Sequence, residues 1–203
     1  MAIDKPRAQR IQAIGTDMLA MGHAPTIWQH ANFAGLWFAD SVRESTAPGQ
    51  DARRREILFA VATVESFIFE WARNLVPLDS VESYFPAGDY NTSIKDRWKQ
   101  VPKQLFKNGI TKGVPALGQA WTEFLSLIDY RNGLLHARAS RPQTGGMDAG
   151  SLPVPPLGAL ENMQPSWPTG VVVRLIVDLM GAAKTPIPNW LQAHLAAGGA
   201  SRP

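Results

Sequence analysis

The residues richest in chemical possibility lie in one stretch, Ile128-Asp129-Tyr130-Arg131-Asn132-Gly133-Leu134-Leu135-His136. On a helix each residue turns by about 100°, so with Ile128 at zero Trp121 falls at about +20°, Phe124 at about −40° and Leu135 at about −20°. Arg131 then lies at about −60° and His136 at about +80°, on either side of that apolar stripe. Asn132 sits at about +40°, one turn before His136. A guanidinium holds a phosphate by two parallel hydrogen bonds, and an imidazole moves a proton near neutral pH. An amide one turn before the imidazole can bond one ring nitrogen and set its tautomer. Arg131, Asn132 and His136 therefore read as a site for chemistry at a phosphate. The arginine–histidine spacing alone carries little; its placement beside a buried helix face carries the reading. The plainer alternative makes His136 a satisfied residue at the end of a core helix and pairs Arg131 with Glu65 or Asp129.

Other familiar chemistry is missing from the 203 residues. There is no cysteine, which removes disulfides, thiolate zinc sites, iron–sulfur clusters and a cysteine nucleophile. No Gly-rich phosphate loop, G-x-S-x-G or paired-histidine zinc motif occurs, and His23, His30, His136 and His194 are scattered. Neither a metal site nor a cofactor is expected. The net charge is only +3, but Ile94 to Arg141 carries +6 and the remainder −3. Lys95, Arg97, Lys99, Lys103 and Arg138 in that stretch are candidates for binding a polyanion such as RNA, although charge runs are commonly solvated faces. Trp98 among them is a candidate base-stacking ring or a core residue.

A hydrophobic fraction of 45% with 18% charged residues supports one packed domain. The pattern is helical almost throughout, and an all-α bundle is predicted. An N-terminal extension over 1–28, holding a helix near 5–21, leads into a bundle over 29–185 and a tail over 186–203. Within the bundle, a helix over 26–44 ends before Ser45-Thr46-Ala47-Pro48-Gly49. The next helix starts with Asp51 as N-cap and runs to about Leu75. Its stripe of Ile57, Val61, Val64, Ile68, Trp71 and Leu75 is either core or a dimer seam. After a connection over 77–93, Ser93–Phe106 forms a basic helix in which Pro102 predicts a kink or break. Pro115 opens the helix that bears the candidate site, with Leu117, Trp121, Phe124, Leu125, Ile128 and Leu135 inward. A Pro/Gly-rich excursion over 142–168, expected to be mobile, precedes a last core helix from Thr169 to about Lys184. No secretory signal is seen, and the uncharged run Met18–Ala39 is too polar to span a bilayer, so a soluble, cytoplasmic protein is expected.

Arg131-Asn132-x-x-x-His136 late in a long amphipathic helix resembles the R-x4-6-H motif of HEPN-domain proteins, with the polar residue those domains often place after the arginine. Ala62-Thr63-Val64-Glu65-Ser66-Phe67-Ile68 is similar to the earlier HEPN helix that carries a glutamate among bulky apolar residues. Lys95-Asp96-Arg97-Trp98-Lys99 is similar to linkers of several prokaryotic HEPN families. The resemblance covers roughly Asn32 to Lys184; the first thirty residues and the excursion after Arg141 lie outside it. It implies a HEPN-like bundle and a metal-independent endoribonuclease that works as a homodimer, often in a toxin or antiviral defence setting with an antitoxin or defence-system partner. In that reading His136 is general base or acid, Arg131 stabilises charge on the phosphorane, and Asn132 orients the imidazole or the phosphate. Glu65 supports the site, as a buried structural pair or, less simply, by proton transfer. The alternative is a non-catalytic HEPN module that binds a partner protein or nucleotide.

Overall fold

Ser45 and Thr46 turn their hydroxyls back onto the carbonyls of Val42 and Arg43, at 2.7 and 3.0 Å, so the first helix spends its last turn on itself. Pro48 cannot continue that helix, and Gly49 takes φ 90°, which a side chain would resist, to start the next one. The computed structural model describes residues 32–76, 84, 93–116, 118–136, 160 and 163–198; of His136 only the backbone is included. Among these residues the regular elements are six helices and no strand: α1 (Phe33–Thr46), α2 (Gln50–Leu75), α3 (Ile94–Lys107), α4 (Gln119–His136), α5 (Trp167–Ala183) and α6 (Asn189–Ala196). The chain is an all-α bundle, as its periodicity predicts.

The long helix α2 is the axis of the bundle. Ile57, Val61, Val64, Ile68 and Trp71 along one side of it are buried, so the stripe is core and not a dimer seam. Helix α1 runs antiparallel to α2. Glu70 near the end of α2 accepts the Ala34 N–H at 3.1 Å, while Arg53 near its start donates to the Ser45 and Ala47 carbonyls at 3.2 and 3.1 Å. Helix α5 runs parallel to α2: Thr169 at its start meets Glu56, and Thr185 just past its end accepts the Trp71 indole N–H at 3.3 Å. Helix α4 returns antiparallel to α5, with Tyr130 edge-on to Trp167 and Glu123 bonded to Arg174 at 2.7 Å. Helix α3 closes the bundle by burying Trp98, Val101, Pro102 and Leu105, and the Trp98 indole donates to the Val64 carbonyl at 3.0 Å.

A buried polar cluster sits where α1, α2 and α5 meet. The Glu56 side chain has no solvent exposure; its carboxylate accepts from Arg53 Nη1 at 2.6 Å and from the Thr169 hydroxyl at 2.9 Å. The Thr169 hydroxyl also pairs with Ser41 Oγ at 2.8 Å. Removing two charges from water is costly, and only such dense hydrogen bonding makes the pair tolerable. At the opposite end of α5, the Lys112 N–H reaches the Ala183 carbonyl at 3.1 Å. The approach there admits only glycine, since a Cβ on Gly113 would stand 2.7 Å from the Ala182 carbonyl oxygen.

Several boundaries differ from the sequence expectation. Of the helix predicted over 26–44, residues 26–31 lie outside the described residues; the described helix begins at Phe33, where Glu70 accepts the Ala34 N–H, and extends to Thr46. Gly49, not Asp51, is the N-cap of α2; Asp51 lies in its first turn, bonded to Arg54 at 2.9 Å. Pro102 does not break α3, because the buried residues around it hold the helix through the lost backbone bond. Pro115 precedes α4 by four residues instead of opening it; residues 113–116 have no regular structure, and Lys112 and Gly113 tie this segment to the end of α5. The last core helix starts at Trp167 with Pro168 in its first turn. Part of the expected tail is α6, whose Leu191 is fully buried and whose Trp190 and His194 pack on Phe38. The predicted helix near 5–21 and the larger part of the 142–168 excursion, 142–159 with 161 and 162, lie outside the described residues.

Two outcomes follow. Glu56→Ala strands the Arg53 guanidinium in the core and is expected to lower urea-unfolding stability by about 3–5 kcal/mol, with Glu56→Gln losing less. Burial raises the Glu70 carboxyl above its ordinary 4.5, against the lowering pull of the Ala34 and Phe33 N–H groups and Arg73. The folded state therefore holds this proton more tightly than the unfolded chain. Its stabilising contribution is full below 4.5 and is lost as pH rises through the folded value, so Glu70→Gln should flatten that stretch of the stability–pH curve.

Candidate functional site

Helix α4 buries its apolar side most deeply between Trp121 and Ile128, and Tyr130 and Leu134 continue the contact with the core. Phe124, Leu127 and Ile128 are buried, whereas Leu135 is 43% exposed, contrary to its expected inward position. Leu127 was not among the inward residues expected of this helix, yet it is fully buried and widens the buried arc to about −100° through +20°. Arg131, at about −60°, therefore continues the middle of the buried face and does not flank it. It lies one turn past Ile128, half-buried, at the mouth of a cleft.

That cleft has a volume of about 410 Å³. Val61 of α2, Ile94 of α3 and Ile128 of α4 form its apolar wall. Arg131 and Asn132 from α4, Glu65 from α2, and Lys95 and Arg97 from α3 supply its polar side. Five residues chosen from the sequence thus converge on one cavity from three helices. Ser93 joins them as the N-cap of α3, accepting the Asp96 N–H at 3.2 Å and donating to the Asp96 carboxylate at 2.6 Å. The first turn of α3 thereby faces the cleft, and the positive end of its helix dipole adds to three cationic side chains.

The pairings differ from those the sequence suggests. Glu65 is bound by Arg97 at 3.8 Å and Asp129 by Lys95 at 3.0 Å, so neither carboxylate is the partner of Arg131. Glu65 is not a buried structural pair, because its side chain is 48% exposed and sits on the cleft rim. Arg131 Nη1 donates to Asn132 Oδ1 at 3.2 Å. The amide oxygen accepts from the arginine, and the Asn132 NH₂ remains as a donor. Asn132 thus contacts the guanidinium, and the imidazole that the sequence assigns to it lies outside the described residues.

The backbone of His136 lies in the last turn of α4, one turn beyond Asn132; its side chain and all of Arg138 lie outside the described residues. Lys99 and Lys103 do not line the cleft: Lys99 lies over the Trp121 ring at 5.5 Å and Lys103 is exposed. Trp98 is a core residue, stacked on Phe67 and hydrogen-bonded through its indole, and so is not offered to a base. Among the described residues no three His, Asp or Glu side chains gather closely enough to hold a metal ion. Sequence reasoning missed Ser93 as a cleft residue, although a serine three residues before Asp96 at a helix start is a readable capping signal. Set against models of known families, curated proteins and solved structures, the chain matches none.

An anion entering this cleft meets cations already held by weak, solvent-accessible partners, so it can exchange with them at little cost. The same exposure means that the cleft does little for folding. Lys95→Ala, Arg97→Ala and Arg131→Ala are each expected to change unfolding stability by less than about 1 kcal/mol, far below the effect at Glu56, as read by thermal or urea denaturation.

Proposed function

We propose that this chain is a HEPN-type endoribonuclease that cleaves RNA through its own 2′-OH, without a metal, and works as a homodimer in a toxin or antiviral defence role. The observation that carries the reading is the convergence of Arg131, Asn132, Glu65, Lys95 and Arg97 on one cleft, from three separate helices. Scattered surface charges have no reason to share a cavity. An RNA strand laid across the cleft would set a phosphodiester against Arg131, which Asn132 holds in place through its amide oxygen. Lys95 and Arg97 would carry the neighbouring backbone phosphates.

In the chemical step the ribose 2′-oxygen bonds to phosphorus and the bond from phosphorus to the 5′-oxygen breaks. His136 takes the 2′-OH proton or supplies the proton to the departing 5′-oxygen, and Arg131 meets the charge that builds on the phosphorane. The products carry a 2′,3′-cyclic phosphate and a 5′-OH, and DNA is refused because it lacks the nucleophile. The outer face of α2 supports the dimer: Leu58 and Phe69, 37% and 40% exposed, share one side of that helix with Glu65. A second copy seated there would cover apolar surface and bring two clefts together.

The test is digestion of RNA in EDTA by wild type, His136→Ala and Arg131→Ala proteins, with end-group analysis. Cleavage is expected to fall by at least about a hundredfold in both variants, and wild-type products should end in cyclic phosphate. Equal activity in all three proteins would overturn the enzyme reading. A solution mass measurement should give a dimer, and an active strict monomer would overturn that part.

A further inference from the structure

Glu65 is out of place in a cleft built for phosphate. It is the one carboxylate that lines the cavity itself, beside Lys95, Arg97 and Arg131; the nearby acids Asp96 and Asp129 do not line it and are bonded to Ser93 and Lys95. A strand's phosphates would be repelled by Glu65. Nor does it serve as a strong structural tie: its contact with Arg97 spans 3.8 Å, too long for a charge-assisted hydrogen bond, and both partners reach solvent. The contrast with Glu56 is sharp, since that carboxylate of the same helix is fully buried and bonded at 2.6 Å. A carboxylate kept loosely beside a phosphate-binding guanidinium has the charge, the oxygen geometry and the freedom of a bound anion that can leave.

We propose that Glu65 is a built-in competitor for the substrate phosphate: its carboxylate occupies Arg97 in the empty cleft, and a nucleic-acid strand must displace it before Arg97 binds the backbone. This rests on reading the cleft as the seat of an RNA strand. Displacement swings Glu65 toward solvent, which its exposed position on α2 allows without disturbing the core. The device raises the threshold for weak polyanion binding while leaving the phosphate at Arg131 unopposed, because Arg131 is held by a neutral amide. Glu65 is on this account a specificity-setting residue, and not a support for catalysis.

The experiment measures binding of a non-cleavable 2′-O-methyl oligonucleotide to full-length wild type, Glu65→Gln, Arg97→Ala and the double variant. Glu65→Gln is expected to tighten binding about threefold to tenfold at low salt, the Coulomb effect of removing one unit charge at close range. The gain should shrink as added salt brings the Debye length toward about 3 Å. Arg97→Ala should weaken binding, and in its background Glu65→Gln should gain much less. If oligonucleotide binds but Glu65→Gln leaves affinity unchanged or lowers it, the competitor role is overturned while the RNA reading stands. A gain that persists undiminished in the Arg97→Ala background overturns the assignment of Arg97 as the contested group. If no variant binds the oligonucleotide, the reading of the cleft falls and the competitor falls with it. Unaltered thermal unfolding of Glu65→Gln separates these outcomes from a folding defect.

Discussion

The contact on which the bundle depends is the buried carboxylate of Glu56. It joins three helices at once, through Arg53 on its own helix and Thr169 at the start of α5, with Ser41 of α1 bonded to the same threonine. Arg53 extends the junction to the Ser45 and Ala47 carbonyls, which the end of α1 leaves without helical partners. A buried ion pair adds little net stability over an apolar substitute, but its directional bonds accept one arrangement of the three helices and penalise the rest. Aliphatic stripes slide against each other at small cost. A carboxylate that must meet one guanidinium and one hydroxyl does not.

From that junction the position of the cleft follows in steps. Thr169 fixes the start of α5 against α2, and the Trp71–Thr185 bond fixes its far end. Helix α4 is then aligned on α5 by Tyr130 against Trp167 and Glu123 against Arg174. Arg131 follows Tyr130 directly, so the aromatic contact that seats this turn also sets where the guanidinium emerges. Helix α3 is seated by the Trp98 indole on the Val64 carbonyl, which brings Arg97 next to Glu65. The rigid ring contacts lie inside, and the exchangeable ionic contacts lie at the mouth. That division suits a surface that must trade its own partners for those of a ligand.

Two classes of charged residue coexist in this chain with opposite roles. Arg53 and Glu56 are withdrawn from water and bonded on every side, so their charges serve architecture. Lys95, Arg97 and Glu65 keep solvent access and make exposed pairs, at 3.0 Å to Asp129 for Lys95 and 3.8 Å between Arg97 and Glu65, so their charges stay available for binding. The sequence gives little warning of the difference. In Arg53-Arg54-Arg55-Glu56 the first and last residues pair in the core, while Arg54 and Arg55 reach Asp51 and Glu44.

The sequence by itself determined the helical class, the apolar stripe of α2 and the choice of Arg131, Asn132, Glu65, Lys95 and Arg97 as residues of interest. Apolar spacing reports which side of a helix is buried, and residue type reports which chemistry is possible; both are local properties of the chain. Tertiary structure decided the partners. Glu65 turns to Arg97 and not to Arg131, Lys99 lies over the Trp121 ring, and Pro102 stays inside an unbroken helix. Each of these is settled by a residue from another helix or by burial against the core. A side chain long enough to reach several partners takes the one that packing brings near, and helical periodicity carries no information about that neighbour.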